Sequence, residues 1–175
     1  MLYYSERDSS RSDQLFKLDL KTKQKTQLTT NLYAINRMIP IDNKMILAAS
    51  LKGNRNIPLA SYDLKANKLT IWQKDLDTSV RSLSLNPLTS KLYASLYSQK
   101  EQLEKTHKAD LEQAPDVVPP VHRVVEYDIN GQMLKEIYKT EEMITFFSQN
   151  EYMALIRTAP TMFKQRKLYL LNPNG

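Results

Sequence analysis

Residues 15–29 read LFKLDLKTKQKTQLT, and residues 59–73 read LASYDLKANKLTIWQ. Each carries an apolar run into Leu-Asp-Leu or Tyr-Asp-Leu, then a lysine-rich turn, then a second apolar run. Asp19 and Asp63 head the two turns and lie 44 residues apart. VVEYDINGQMLKEIY (124–138) supplies a third copy headed by Asp128, and KLYLLNPNG (167–175) a fourth, with Asn172 again 44 residues beyond. Only the middle interval breaks step. It is 65 residues, an excess of 21, and the excess falls where the pattern changes, in SQKEQLEKTHKADLEQAPDVVPP (98–120).

A second element recurs in phase: INRMIPIDNKMILAAS (35–50), VRSLSLNPLTSKLYASLYS (80–98) and ITFFSQNEYMALIRTA (144–159). Each is an alternating run, a turn and a second strand-like run. Alternation with period two, β-branched and aromatic residues, and Asn, Asp, Pro or Gly at the breaks favour strands over helices. A unit therefore holds four short strands, A to D. In the clearest copy these are NRMIPI, KMILAAS, PLASYDL and KLTIWQ. A carboxylate at the end of strand C can accept hydrogen bonds from the backbone N–H groups of the turn that follows, so Asp19, Asp63, Asp128 and Asn172 are assigned as structural turn residues. Asn130-Gly131 is the strongest hairpin signal, expected as a two-residue primed turn.

Four strands repeating every ~40 to 45 residues are the pattern of propeller blades. The expected class is all-β: a partial β-propeller of about 3.5 four-stranded blades, with one helical or mobile insertion in the third. The expected organisation is a single incomplete domain over residues 1–175, with blades at about 1–30, 34–74, 79–139 and 143–175 and the insertion at 99–120. The first blade opens on a B-type strand, LYYS, and the last stops after a C-type strand. Since blades bury their faces by closing a ring, further blades or a second copy of the chain are expected to complete it.

The stretch LYYSERDSSRSDQLFKLDLKTKQKTQLT (2–29) resembles the WD40-like β-propeller repeat of TolB-type proteins: apolar strand, Ser-x-Arg-Asp, a short polar loop, a strand ending in Asp, a basic turn and a strand closing on Leu-Thr. The glycine usual in the polar loop and after the Asp is mostly missing, and the chain has only three glycines, so individual turns are expected to differ. The resemblance implies a bacterial protein in an extracytoplasmic setting, periplasmic or cell-surface. It also implies that the face carrying the B-to-C loops, where the insertion lies, is the one used for ligands.

Composition narrows the function classes. The chain has no cysteine, so disulfides, thiolate metal sites and cysteine nucleophiles are excluded. No apolar run approaches the ~20 residues that cross a bilayer. The net charge is +6, but the basic residues are scattered in turn-like pieces such as KTKQK (21–25) and KQRK (164–167), which argues against nucleic acid as the partner. His107 and His122, the only histidines, lack metal-ligand spacing, and no nucleophile elbow, phosphate loop or zinc-protease motif is present. Glu141-Glu142 and Asp75/Asp77 read as turn acids. No catalytic, cofactor-binding or metal-binding residue is assigned.

In the insertion, Leu103, His107, Leu111 and Ala114 fall near one helical face, and Pro119 and Pro120 are expected to end the helix. Arg37 and Arg81 occupy equivalent places at the start of successive A strands. They are the candidate channel or partner-binding residues, two cations able to receive a carboxylate or to pair within the protein. The expected function is non-catalytic binding or scaffolding of a protein or peptide. The alternative is the substrate-gating propeller portion of a larger prolyl-oligopeptidase-like hydrolase or of a lyase.

Overall fold

Runs that alternate in polarity become outer strands, and the nearly continuous apolar runs become strands covered on both faces. The computed structural model of the chain describes residues 1–149, 154–161 and 165–171. They fall into two units, Met1–Leu76 and Asp77–Gly175.

The first unit holds two antiparallel sheets. One is the three-stranded meander of β1 (Leu2–Arg7), β2 (Asp13–Leu18) and β3 (Lys25–Gln27). The other is the four-stranded meander of β4 (Leu32–Ile41), β5 (Lys44–Leu51), β6 (Leu59–Asp63) and β7 (Lys68–Ile71). Met45 through Ser50 of β5 are all buried, as the run MILAAS requires of a strand packed on both faces. Leu15, Leu32, Met45, Leu47, Ala49, Ala60 and Tyr62 form one core joining the sheets. A buried polar knot reinforces it. The Gln14 side-chain amide donates to the Leu32 carbonyl at 2.7 Å and accepts from the Thr29 hydroxyl at 2.9 Å, and that hydroxyl accepts from the Leu15 N–H. With every polar atom of this trio used, its burial carries no desolvation penalty of the kind an orphaned amide would.

The second unit holds a sheet ordered β11-β10-β9-β8, built from β8 (Thr78–Asn86), β9 (Lys91–Ser98), β10 (His122–Tyr127) and β11 (Met133–Thr140). Helix α1 (Gln99–Leu111) interrupts it between β9 and β10. A further sheet contains β12 (Met143–Gln149), β13 (Ala154–Ala159) and β14 (Lys167–Leu171). Tyr93 and Val124 of the first sheet and Ile144 and Ile156 of the second form one core between them. Glu126 is buried beside this core and accepts from Lys91 Nζ and the Tyr93 hydroxyl, both at 2.8 Å. Burial alone would raise its pKa, but these donors, with the charge of Lys135, hold it below the ordinary carboxylate range.

Five of the loops follow two recipes, both built on a side-chain oxygen that replaces a backbone partner. Asp19 Oδ1 accepts from the N–H groups of Lys21 and Thr22, Asp63 Oδ1 from those of Lys65 and Ala66, and Asn86 Oδ1 from those of Leu88 and Thr89. Four residues on from each head stands a left-handed residue: Lys23 (φ 61°), Asn67 (φ 51°) and Ser90 (φ 53°). In the shorter recipe, Asp8 Oδ1 accepts from Ser10 and Ser12, and Asp128 Oδ1 from Asn130 and Gln132, with Arg11 (φ 62°) and Gly131 (φ 93°) left-handed. The scarcity of glycine is thus met by residues bearing a Cβ in the left-handed region, at a local cost. Asp8 and Asn86 head such loops although the repeat register does not single them out. Asn172 lies outside the described residues.

Two local expectations are corrected. Asn130-Gly131 does not make a two-residue primed turn: the Gly131 N–H donates to the Asp128 carbonyl, the Asp128 N–H donates to the Gln132 carbonyl, and only Gly131 has positive φ. The Asp128 carboxylate favours this wider loop because it satisfies two of its N–H groups at once. The insertion helix ends at Leu111, well before Pro119. Gln113 turns left-handed (φ 51°), its N–H reaches the Asp110 carbonyl, and the Ala114 N–H reaches that of Ala109, so a Schellman-type cap stops it.

Candidate binding cleft beside the insertion helix

The site begins with the capping of α1. Of the four N–H groups a helix leaves unpaired at its start, three are met here. The Gln99 N–H donates to the Asp77 carbonyl at 2.9 Å, the Lys100 N–H to Asp77 Oδ1 at 2.6 Å, and the Glu101 N–H to the Ser98 hydroxyl at 2.9 Å. The Ser98 hydroxyl in turn donates to Asp77 Oδ2 at 2.7 Å. Asp77 is therefore a helix anchor and not simply a turn acid.

The helix does not dock by the apolar face that its sequence suggested. Leu103, His107 and Leu111 are exposed, and the covered stripe is Glu101, Gln102, Lys105, Thr106 and Ala109. Polar contacts decide the orientation. Lys105 Nζ pairs with Glu101 at 2.9 Å and donates to the Pro119 carbonyl at 2.7 Å, and both Glu101 oxygens accept from the Val121 N–H at 3.3 Å. These bonds lash the segment 117–121 alongside the helix and turn Val117 and Pro119 into a wall.

Facing this wall is Arg81. The ladder between β8 and β9 slips between Val80 and Ser82, leaving Arg81 as the bulged residue. A bulge re-aims its side chain. Arg81, Tyr97, Gln102, Val117, Pro119, Met143 and Thr161 together line a cleft of about 260 Å³. The equivalent position behaves differently in the first unit. Arg37 sits opposite Ala48 in the ladder, six residues into β4, and its guanidinium donates to the Asn36 carbonyl at 2.9 Å in an exposed setting. Neither arginine stands at the start of its strand as expected: Arg37 is the sixth residue of β4 and Arg81 the fourth of β8.

The electrostatics leave one charge uncompensated among the described residues. Glu101 and Lys105 cancel each other. His122 is 1% exposed, its ring stacked on Tyr97 at 5.3 Å, and its Nδ1 has no hydrogen-bond partner among the described residues. Burial, joined by the charges of Arg81 and Lys105 against that of Glu101, lowers its pKa to about 4, so the ring is neutral at pH 7. Among the described residues no carboxylate pairs with Arg81. The Thr161 hydroxyl, also buried, has no partner among them either. The cleft thus offers a cation, a phenol and an amide against the apolar surfaces of Val117, Pro119 and Met143, with the Thr161 hydroxyl buried in its wall.

The other acidic candidates serve structure. Glu142 accepts from Lys167 Nζ at 2.7 Å and from the Thr158 hydroxyl, which together hold it below its ordinary pKa. Among the described residues no three His, Asp or Glu side chains gather into a metal-binding group. Arg81 was legible in the sequence as a recurring cation. Tyr97, Gln102 and Thr161 carried no comparable signal, because only folding brings β9, α1 and the turn after β13 together.

No family model and no curated protein matches the sequence. Solved structures do. Oligogalacturonate lyase from Vibrio parahaemolyticus superposes with a TM-score of 0.69 at 15% identity, over 99% of this chain and 47% of the lyase. A prolyl endopeptidase gives 0.63 at 8% identity, over 99% of this chain and 26% of its own. TolB from Acinetobacter baumannii gives 0.57 at 16% identity, over 98% and 38%. At these identities the likeness shows the fold alone. The chain spans half or less of the length of each, and its four antiparallel sheets have the fold of part of a TolB-like β-propeller.

Proposed function

We propose that the chain is a non-catalytic binding module, a partial β-propeller that holds a protein or peptide partner at the cleft beside α1. The observation that carries this is the Arg81 guanidinium, without a carboxylate partner among the described residues, set beside the buried Thr161 hydroxyl and apolar walls. A cation in a concave site with no carboxylate partner among the described residues is well matched to an incoming anion. The likeness to TolB supports a binding role by analogy of fold. The test is a photo-crosslinking residue at Gln102 in cells expressing the chain. Discrete protein adducts that disappear with Arg81→Gln are the expected result. Adducts identical to those from a crosslinker at exposed Lys65 would overturn the proposal.

A second reading has support in the likeness to a lyase and an endopeptidase: the chain as the propeller portion of a larger enzyme that filters substrate. Equilibrium binding of oligogalacturonate and of prolyl peptides decides it: saturable binding of either that survives Arg81→Gln would favour the substrate filter, and no binding of either would count against it.

A further inference from the structure

Resting on the binding-module proposal, we infer that the cleft of Arg81, Tyr97, Gln102 and Thr161 is a receptor for the C-terminal residue of a peptide chain, taking its free carboxylate and its apolar side chain together.

Charge sets the ligand class. With Glu101 and Lys105 paired and His122 neutral behind Tyr97, Arg81 carries the one uncompensated charge among the described residues that line the cleft. One guanidinium matches one carboxylate through its fork of parallel N–H donors. A phosphate group calls for more cations or a free helix N-terminus, and the start of α1 is already filled by the Asp77 carboxylate. Size sets the extent. About 260 Å³ lies just below the ~300–1,000 Å³ range of pockets that take drug-sized ligands, so a terminal residue fits and a nucleotide or a folded loop does not.

The lining chooses between sources of carboxylate. Arg81 can donate to the oxygens, as can the second N–H of the Gln102 amide, whose first donates to the Thr106 hydroxyl at 3.3 Å, and the Thr161 hydroxyl, with no partner among the described residues, lies buried in the wall, where a small outward rotation would add a donor. Val117, Pro119 and Met143 complete the site with apolar surface. A C-terminal Leu-like residue offers a carboxylate and an apolar side chain on the same Cα. An internal Asp or Glu offers only the carboxylate and must also route two backbone exits.

The experiment uses the whole chain and three synthetic probes, N-acetyl-Ala-Ala-Leu with a free carboxylate, its C-terminal amide, and N-acetyl-Ala-Asp-Ala-amide, followed by amide chemical-shift titration. The free carboxylate is expected to bind saturably and to shift signals of Tyr97, Gln102 and Thr161. Amidation and Arg81→Gln should each weaken it about 10- to 100-fold, the scale of a charge-assisted bidentate contact. Thr161→Val should weaken it several-fold, and Arg37→Gln should leave it unchanged. Well-dispersed spectra of each variant verify the fold. The inference is overturned if the amide binds as tightly as the acid, if the Asp peptide binds as tightly as the C-terminal Leu peptide, or if no probe shifts the cleft. Crosslinked partners at Gln102 that persist in any of those cases would leave the binding-module proposal standing without this one.

Discussion

Replacing Asp77 by Ala is expected to loosen α1 without unfolding the sheets. The carboxylate serves the helix twice, accepting from the Lys100 N–H at 2.6 Å and from the Ser98 hydroxyl at 2.7 Å, while the Asp77 main chain keeps its bond to Gln99 in the variant. Loss of a capping side chain costs about 1 kcal/mol, and loss of a negative charge at a helix N-terminus adds about 0.3–1. The sum, about 1.3–2 kcal/mol, corresponds to roughly 10- to 30-fold in the opening equilibrium. Native-state hydrogen exchange of α1 amides reads this directly, and strand amides of β1–β7 serve as the internal reference. Asp77→Asn keeps an acceptor and loses only the charge, so it should fall between the wild type and Asp77→Ala. Exchange of α1 within twofold of wild type in Asp77→Ala would refute the anchoring role, as would equal damage from Asn and Ala.

Four further outcomes are expected. His122 titrates near 4 in the fold and 6.5 when unfolded, so its neutral burial stabilises fully above pH 6.5 and that stability is lost as pH falls toward 4. The shift corresponds to about 3 kcal/mol, and urea melts of His122→Phe should lose that part of the pH dependence. The depressed pKa values of Asp8, Asp19 and Asp63, caused chiefly by hydrogen bonds from Ser10, from Thr22 and from Ala66, act in a more acid window. Their contribution is present above about pH 4 and disappears as pH falls through the folded values, so Asp19→Asn should show a shallower acid limb. Removing the Glu126 side chain with Glu126→Ala should cost about 2–3 kcal/mol, since the Tyr93 hydroxyl is left buried without its acceptor while Lys91, half exposed, recovers water. In a double-mutant cycle Tyr93→Phe should recover part of that loss, and strict additivity would argue against the contact. Lys23→Gly and Ser90→Gly should each stabilise by up to about 1 kcal/mol by relieving a left-handed Cβ. Destabilisation in denaturant melts would contradict that account of the glycine-poor loops.

How much of this was legible in the chain depends on the range of the forces involved. The 44-residue spacing of Asp19 and Asp63 and the alternating runs around them are local signals, and the strands they mark are present as β2, β3, β6 and β7. The insertion was legible as a break in composition. Its docking was not, because Leu103 and Leu111 suggest an apolar face that the Glu101–Lys105 pair and the bonds to Pro119 and Val121 override. The Asn130-Gly131 signal failed for a similar reason: Asp128, two residues earlier, captures two N–H groups with one oxygen and selects a wider loop.

By itself the sequence determined the architecture, since strand period, turn chemistry and the repeat interval are all encoded within a few tens of residues. The tertiary structure alone decided the cleft. Arg81 was visible as a cation, but its bulged placement, the neutrality of His122 and the buried Thr161 hydroxyl depend on burial and on which strands meet. Desolvation and the pairing of charges arise only when distant segments close over one another.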